Sequence, residues 1–160
     1  MKDENPQPQV KGKLSKTEMR RSARSFALQA LYQWQLTGHT MNEVEAQFRL
    51  DQDMAGCDLV MFGELLHGVN RHKDDLDRSF EPFLDRTLSE LDPVELSVLR
   101  IGAFELKHRL NVPYRVAINE SVELAKIYGA TESHRYVNGV LDKLAQRARR
   151  EEIAAQRNKS

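Results

Sequence analysis

The chain has 160 residues, 40% of them apolar and 30% charged; this length favours one domain able to bury a core, and the composition is ordinary for a globular protein. No apolar run approaches the roughly 18 residues of a membrane span, the first residues carry no apolar signal segment, and the single Cys57 cannot form an internal disulfide, so a reduced, cytoplasmic location is expected. Net charge is zero, but residues 1–24 hold seven Lys or Arg against three acids, residues 143–160 six against two, and the stretch between eleven against nineteen: two basic ends suited to a polyanion flank an acidic body suited to a basic partner.

Residues 1–14 mix Pro, Gln, Lys and Gly with little to bury, the composition of a disordered basic arm. Ser15 and Glu18 have capping-box spacing, and Ala23, Phe26, Ala27, Ala30 and Trp34 then recur at helical intervals until Thr37-Gly38. A shorter helix is predicted over Asn42 to Leu50 and a longer one after Gly56 through Val69. A further helix is predicted from Asn70 to Leu84, where Leu76, Phe80 and Leu84 fall four apart. Asp92-Pro93-Val94-Glu95 is a compact start signal for a helix to about Arg109, whose wide apolar arc suits the central element of a bundle. Pro113 opens the next helix and Gly129 stops it; Thr131 or Ser133 can cap the last long one, with its stripe at Val137, Val140, Leu141, Leu144 and Ala148. The Asn138-Gly139 pair inside that stripe suggests close approach of two helices rather than a hairpin. Beyond Arg149 the pattern thins, and residues 149–160 are expected to fray as a basic tail. Nothing reads as a strand, so the fold class is all-α: six or seven helices in one compact bundle spanning residues 15–148.

Catalytic chemistry is hard to find. The five histidines form no HExxH pair, no Cys/His cluster exists for zinc, and neither GxxxxGK[ST] nor GxGxxG occurs. His67 and His72, five apart, fall on different helix faces and make poor joint ligands. No catalytic residue, metal site or cofactor is expected. The feature that stands out is the first helix. At about 100° per residue, Arg21, Arg24 and Tyr32 fall opposite the buried stripe, pairing guanidinium groups that bind phosphates with an aromatic ring on which a base can stack. Leu28 and Leu31 lie on or beside the same face, so the spacing equally allows Tyr32 to be packed inside a second helix contact.

Several ordered motifs resemble the bacterial NusB family of transcription antitermination factors. They are Arg20-Arg21-Ser22-Ala23-Arg24, Ala27 through Trp34, Val98-Leu99-Arg100-Ile101-Gly102 with Glu105-Leu106, Val112 through Glu120, Glu123 through Lys126, and Tyr136 through Lys143. The resemblance runs from about Arg20 to Lys143, which leaves the arm and the tail as additions of this chain. It implies an all-helical fold of two small sub-bundles and no enzymatic activity. It further implies binding, together with the ribosomal protein NusE, to the boxA element of nascent, chiefly ribosomal RNA, so that RNA polymerase in an antitermination complex resists termination. Carried over by position, it assigns Arg20, Arg21 and Arg24 to RNA, with Tyr32, Glu95 and Tyr136 around the RNA and NusE surface. Ser22 interrupts what is often a fuller arginine run, with Lys11, Lys13 and Lys16 nearby as further cations, Lys16 among the candidate RNA contacts.

Some alternatives stay open at the level of sequence. Glu95, third in its helix, can close a capping box instead of meeting a partner, and Tyr136 adjoins the buried stripe. The chain could be a protein-interaction module with only generic RNA contact, a homodimer joined through Leu28 and Leu31. A NusB-like domain also occurs ahead of ribosomal-RNA methyltransferase domains, but such a domain needs about 200 further residues.

Overall fold

Ser15 opens the first helix as its spacing predicts: its hydroxyl accepts from the Glu18 amide at 3.1 Å while the Glu18 carboxylate accepts from the Ser15 amide at 2.9 Å. The computed structural model describes residues 13–159, so the expected disordered arm, residues 1–14, lies almost wholly outside the described residues. Seven α-helices follow among them: α1 (Lys16–Thr37), α2 (Met41–Asp51), α3 (Leu59–Phe80), α4 (Pro93–His108), α5 (Tyr114–Tyr128), α6 (Ser133–Ala148) and α7 (Arg150–Lys159). Two 3-10 turns, Glu81–Phe83 and Leu88–Glu90, join α3 to α4. No strand occurs among the described residues, in keeping with the all-α expectation.

The centre is α4. Residues 97–106 are all buried, and the helix packs against α1 and α3 on one side and α5 and α6 on the other, which makes it the shared element of two small bundles. A helix buried all round must neutralise whatever charge it carries. Arg100 does so through a bidentate pair with Asp77 of α3 (2.9 and 2.8 Å), and Glu105 through a bidentate pair with Arg24 of α1 (2.7 and 2.8 Å). Gly102 lets α4 approach α5 and α6 closely: a β-carbon there would lie 2.5 Å from Leu141 Cδ1 and 2.8 Å from Ser121 Oγ. The close approach expected at Gly139 is therefore corrected, since a β-carbon on Gly139 meets nothing within 4 Å.

Three boundaries differ from expectation. The predicted break at Asn70 is a kink within one helix, α3, centred on His72 (φ −107°, ψ 15°). The cap of α6 is neither Thr131 nor Ser133 but Glu132, in the left-handed region at φ 72° and with no side-chain cap. The tail expected to fray from residue 149 is helix α7, and two buried residues anchor it. Ile153 packs into the core, and the Arg149 guanidinium donates to the carbonyls of Leu106 (2.7 Å), Glu105 (3.1 Å) and Arg109 (3.0 Å). Leu106 lies in the last turn of α4, where carbonyls run out of intrahelical donors; the Glu105 and Arg109 carbonyls also accept from the amides of Arg109 (3.1 Å) and Val112 (3.0 Å). Glu152 then accepts from the amide of Tyr114 at 2.9 Å, serving the start of α5 that Pro113 leaves without a side-chain cap.

Candidate nucleic-acid interface

The first two turns of α1 present Lys16, Arg20 and Arg21 to solvent. Arg21 is held across the helix boundary: its Nε lies 3.2 Å from both carboxylate oxygens of Glu120 on α5, while its side chain stays 60% exposed. Arg24 behaves differently. Sequence spacing puts it on the same face, but it is only 4% exposed, gripped by Glu105 and with Nη1 3.7 Å from Glu120. Burial alone would lower its pKa; the Glu105 hydrogen bonds and the charges of Glu105 and Glu120 outweigh that and hold it above the ordinary guanidinium value. The placement of Arg24 on the exposed face is thus corrected. The reason is that α5 folds over the first turns of α1, bringing a second acid to a position a helical wheel cannot see.

Arg20, Arg24 and Glu120 share a cleft of about 270 Å³ with Arg109 and Asn111 of the segment after α4 and with Val116 of α5. Arg20 has no hydrogen-bond or ion-pair partner among the described residues, so its charge is free to meet an anion. Asn111 and Arg109 carry no signal in the sequence and Glu120 appears there only as the end of a family motif, because each reaches the cleft from a distant part of the chain.

Tyr32 is 37% exposed and lies eleven residues beyond Arg21, roughly 16 Å along the helix at 1.5 Å per residue. The two therefore occupy one side of α1 but not one site. Between them the Ser25 and Tyr128 hydroxyls meet at 2.5 Å, and the Gln29 amide donates to Tyr128 at 3.2 Å, tying α1 to the end of α5. Tyr32 itself lines a groove of about 540 Å³ whose other walls include Leu36, Phe48, Val94 and Tyr128. The ring is exposed on the groove wall and is not packed inside a second helix contact. Leu28 and Leu31, only 2% and 1% exposed, offer no surface for a dimer, which corrects that expectation.

Glu95 and Tyr136 come together around Arg86, where α4 and α6 begin. Asp92 caps α4 through the amides of Val94 (2.8 Å) and Glu95 (3.3 Å), but Glu95 does not close a capping box. Its buried carboxylate accepts from the Ser133 hydroxyl at 2.6 Å and lies 4.0 Å from Arg86. The Arg86 guanidinium covers the Tyr136 ring at 4.4 Å, and the Tyr136 hydroxyl accepts from the Asp85 amide at 3.2 Å. Removal from water raises the phenol pKa of Tyr136. Arg86 and Ser133, which hold this cluster, were not legible in sequence.

The family model for NusB matches residues 21–146, and a transcription antitermination protein NusB from Marinomonas sp. (strain MWYL1) is 61% identical, aligned over 97% of this chain and 91% of its own length. The chain belongs to the NusB family. A second NusB-family relative, from Pseudomonas entomophila (strain L48), is 56% identical over 94% of this chain and 91% of its own. The 97% coverage shows that most of the arm and tail is shared with a relative, not peculiar to this protein. Among solved NusB-family structures, T. maritima NusB superposes with a TM-score of 0.70 at 26% identity, over 80% of this chain and 91% of that one. A chain from a crystal structure of NusB and NusE in complex with dsRNA superposes with a TM-score of 0.67 at 26% identity, over 79% and 95%. As a member of a family of transcription antitermination factors, the protein is not an enzyme. No helix among the described residues is long and apolar enough to cross a membrane.

Proposed function

We propose that this NusB-family protein binds the boxA element of nascent, mainly ribosomal RNA together with NusE, and through an antitermination complex helps RNA polymerase resist termination. The observation that carries the reading is the split on α1: cations that are unpaired among the described residues or only half-paired, Lys16, Arg20 and Arg21, at its start, and an open apolar groove around Tyr32 near its end. The first suits phosphates and the second suits a protein, and a related NusB is known in complex with both NusE and RNA. In this reading Lys16, Arg20 and Arg21 touch RNA, while Arg24 is a positioning residue that fixes α1 on Glu105. Tyr32 faces NusE. Glu95 and Tyr136 act on the same partner by shaping the start of α4 beside Val94 and the start of α6.

A salt titration of boxA RNA against a scrambled RNA of equal composition, with and without NusE, tests this. Affinity should fall steeply with salt, and Arg21→Ala should reduce the salt slope by about one. Equal binding of the two RNAs in the presence of NusE would overturn it.

The exposed Leu36 and the Tyr32 groove also favour a second reading, a protein-docking or self-associating module with generic RNA contact. Size measurement across concentration decides it: a monomer throughout removes the homodimer.

A further inference from the structure

A second cleft, of about 800 Å³, opens between α3 and α4 and shares two wall residues, Arg109 and Asn111, with the cleft at the start of α1. Three rings are piled in it. His72 and His108 stack with centroids 4.2 Å apart and planes 17° from parallel, and Phe104 follows at 5.4 Å from His108. The kink of α3 falls on His72 itself, and Gly68 leaves room for the pile, since a β-carbon there would lie 2.2 Å from the Phe104 ring. At the rim Arg71 is exposed and has no ion-pair or hydrogen-bond partner among the described residues. The nearby acids are already engaged, Glu64 by Arg109 and Asp75, whose charge reaches His108, by Lys107 at 2.8 Å. The His67 ring meets Glu45 at 2.7 Å and adds no free charge.

We propose that this cleft is a second RNA subsite: the strand held at the arginine start of α1 turns over the Arg109–Asn111 corner and lays a base on the His72–His108 pile, with a phosphate on Arg71. Stacked imidazoles beside a free guanidinium are the combination that holds single-stranded nucleic acid without reading much sequence, a ring face for a base and a cation for the backbone. Continuity with the α1 cleft through two shared residues selects RNA as the occupant rather than a separate ligand. The inference rests on the RNA-binding reading above, and its test separates the two.

The probes are two boxA-type RNAs, one of about six nucleotides and one of about twelve, measured by fluorescence anisotropy against the full chain. Arg71→Ala and His72→Ala are expected to weaken the longer RNA about fivefold or more, the loss of one stacked base or one phosphate contact, and to leave the shorter one unchanged. Arg20→Ala should weaken both. With 5-iodouracil in the longer RNA, photocrosslinks are expected at His72 or His108. If Arg71→Ala and His72→Ala bind both RNAs as the parent does while Arg20→Ala does not, the second subsite is overturned and the α1 site stands. If neither RNA binds the parent in the presence of NusE, both are overturned. Arg71 is a solvent-exposed side chain, so Arg71→Glu, with its folding checked by circular dichroism, repeats the test without disturbing the core.

Discussion

Arg24→Ala removes one half of a bidentate pair that is almost completely buried and leaves Glu105 in the core with only Arg109 Nε, 3.8 Å away, as a cationic neighbour. Such a loss typically costs about 3–5 kcal/mol, and denaturant unfolding should show it as a large drop in midpoint. Arg21→Ala, three residues earlier, breaks a pair whose arginine is 60% exposed. It should change stability by about 1 kcal/mol or less while lowering the salt slope for RNA. The contrast is a test of the assignment, since equal stability losses would mean that Arg21 is structural too. His108 makes a prediction of its own. Burial chiefly, helped by the neighbouring His72 and Lys107, holds its pKa below the ordinary imidazole value. The unfolded chain then takes up its proton at a higher pH than the folded one does, so the His108 contribution falls as pH drops through the ordinary imidazole range. His108→Gln should flatten that part of the stability profile, measured by thermal unfolding between pH 7.5 and pH 5, a range chosen to bracket the free imidazole pKa of about 6.5.

Helices give the clearest view of what sequence can carry. Gly139 sits in the middle of α6 with no neighbour within 4 Å of a would-be β-carbon, whereas the same atom on Gly102 would collide with Leu141 and Ser121. Gly139→Ala should therefore stabilise by up to about 1 kcal/mol through helix propensity, and Gly102→Ala should destabilise by about 1–3 kcal/mol through overpacking; calorimetry distinguishes the signs. Both glycines look alike in a sequence, which is why the close approach was expected at the wrong one. The caps of α1 and α4, the stop at Gly129 and the stripes of α1 and α6 were legible because each depends on residues within a turn or two. Helix α7 was not, because its anchors are distant. Arg149 reaches the end of α4, and only Ile153 of its apolar residues is buried. Arg149→Ala should remove the donor that serves the Leu106 carbonyl and untie α7 from the end of α4, and hydrogen exchange should then report fast opening of α7 and of the last turn of α4 while α1 stays protected. Unchanged protection of α7 would mean that Ile153 alone holds it. At the candidate site the same division holds: spacing on one helix singles out Arg21 and Tyr32 but misplaces Arg24, Arg20 comes only from the family resemblance, and Asn111, Glu120 and Arg86 come from other elements.

Across the molecule, charge and apolar surface are sorted to different ends of α1. The start of the helix carries Lys16, Arg20 and Arg21, and the far end carries Tyr32 and Leu36, the latter 59% exposed. Gln35 donates there to the carbonyl of Pro93 at 2.9 Å and to Ser97 at 2.5 Å, so the groove end of α1 is fixed to the start of α4 whether or not a partner is present. A pre-formed groove loses little on docking, and an apolar contact adds no charge to the RNA site. The two ends should then be separable by mutation. Leu36→Lys places a cation in the groove, and is expected to reduce NusE affinity at least tenfold while leaving NusE-free RNA binding and its salt slope unchanged. Arg21→Ala should do the reverse, weakening RNA binding with NusE affinity intact. Calorimetric titration of NusE and anisotropy with RNA read the two effects independently. If Leu36→Lys weakens neither, the groove is not where NusE docks; if each variant weakens both ligands equally, the two surfaces act as one coupled site, because RNA and NusE then share the free energy of a single conformational change.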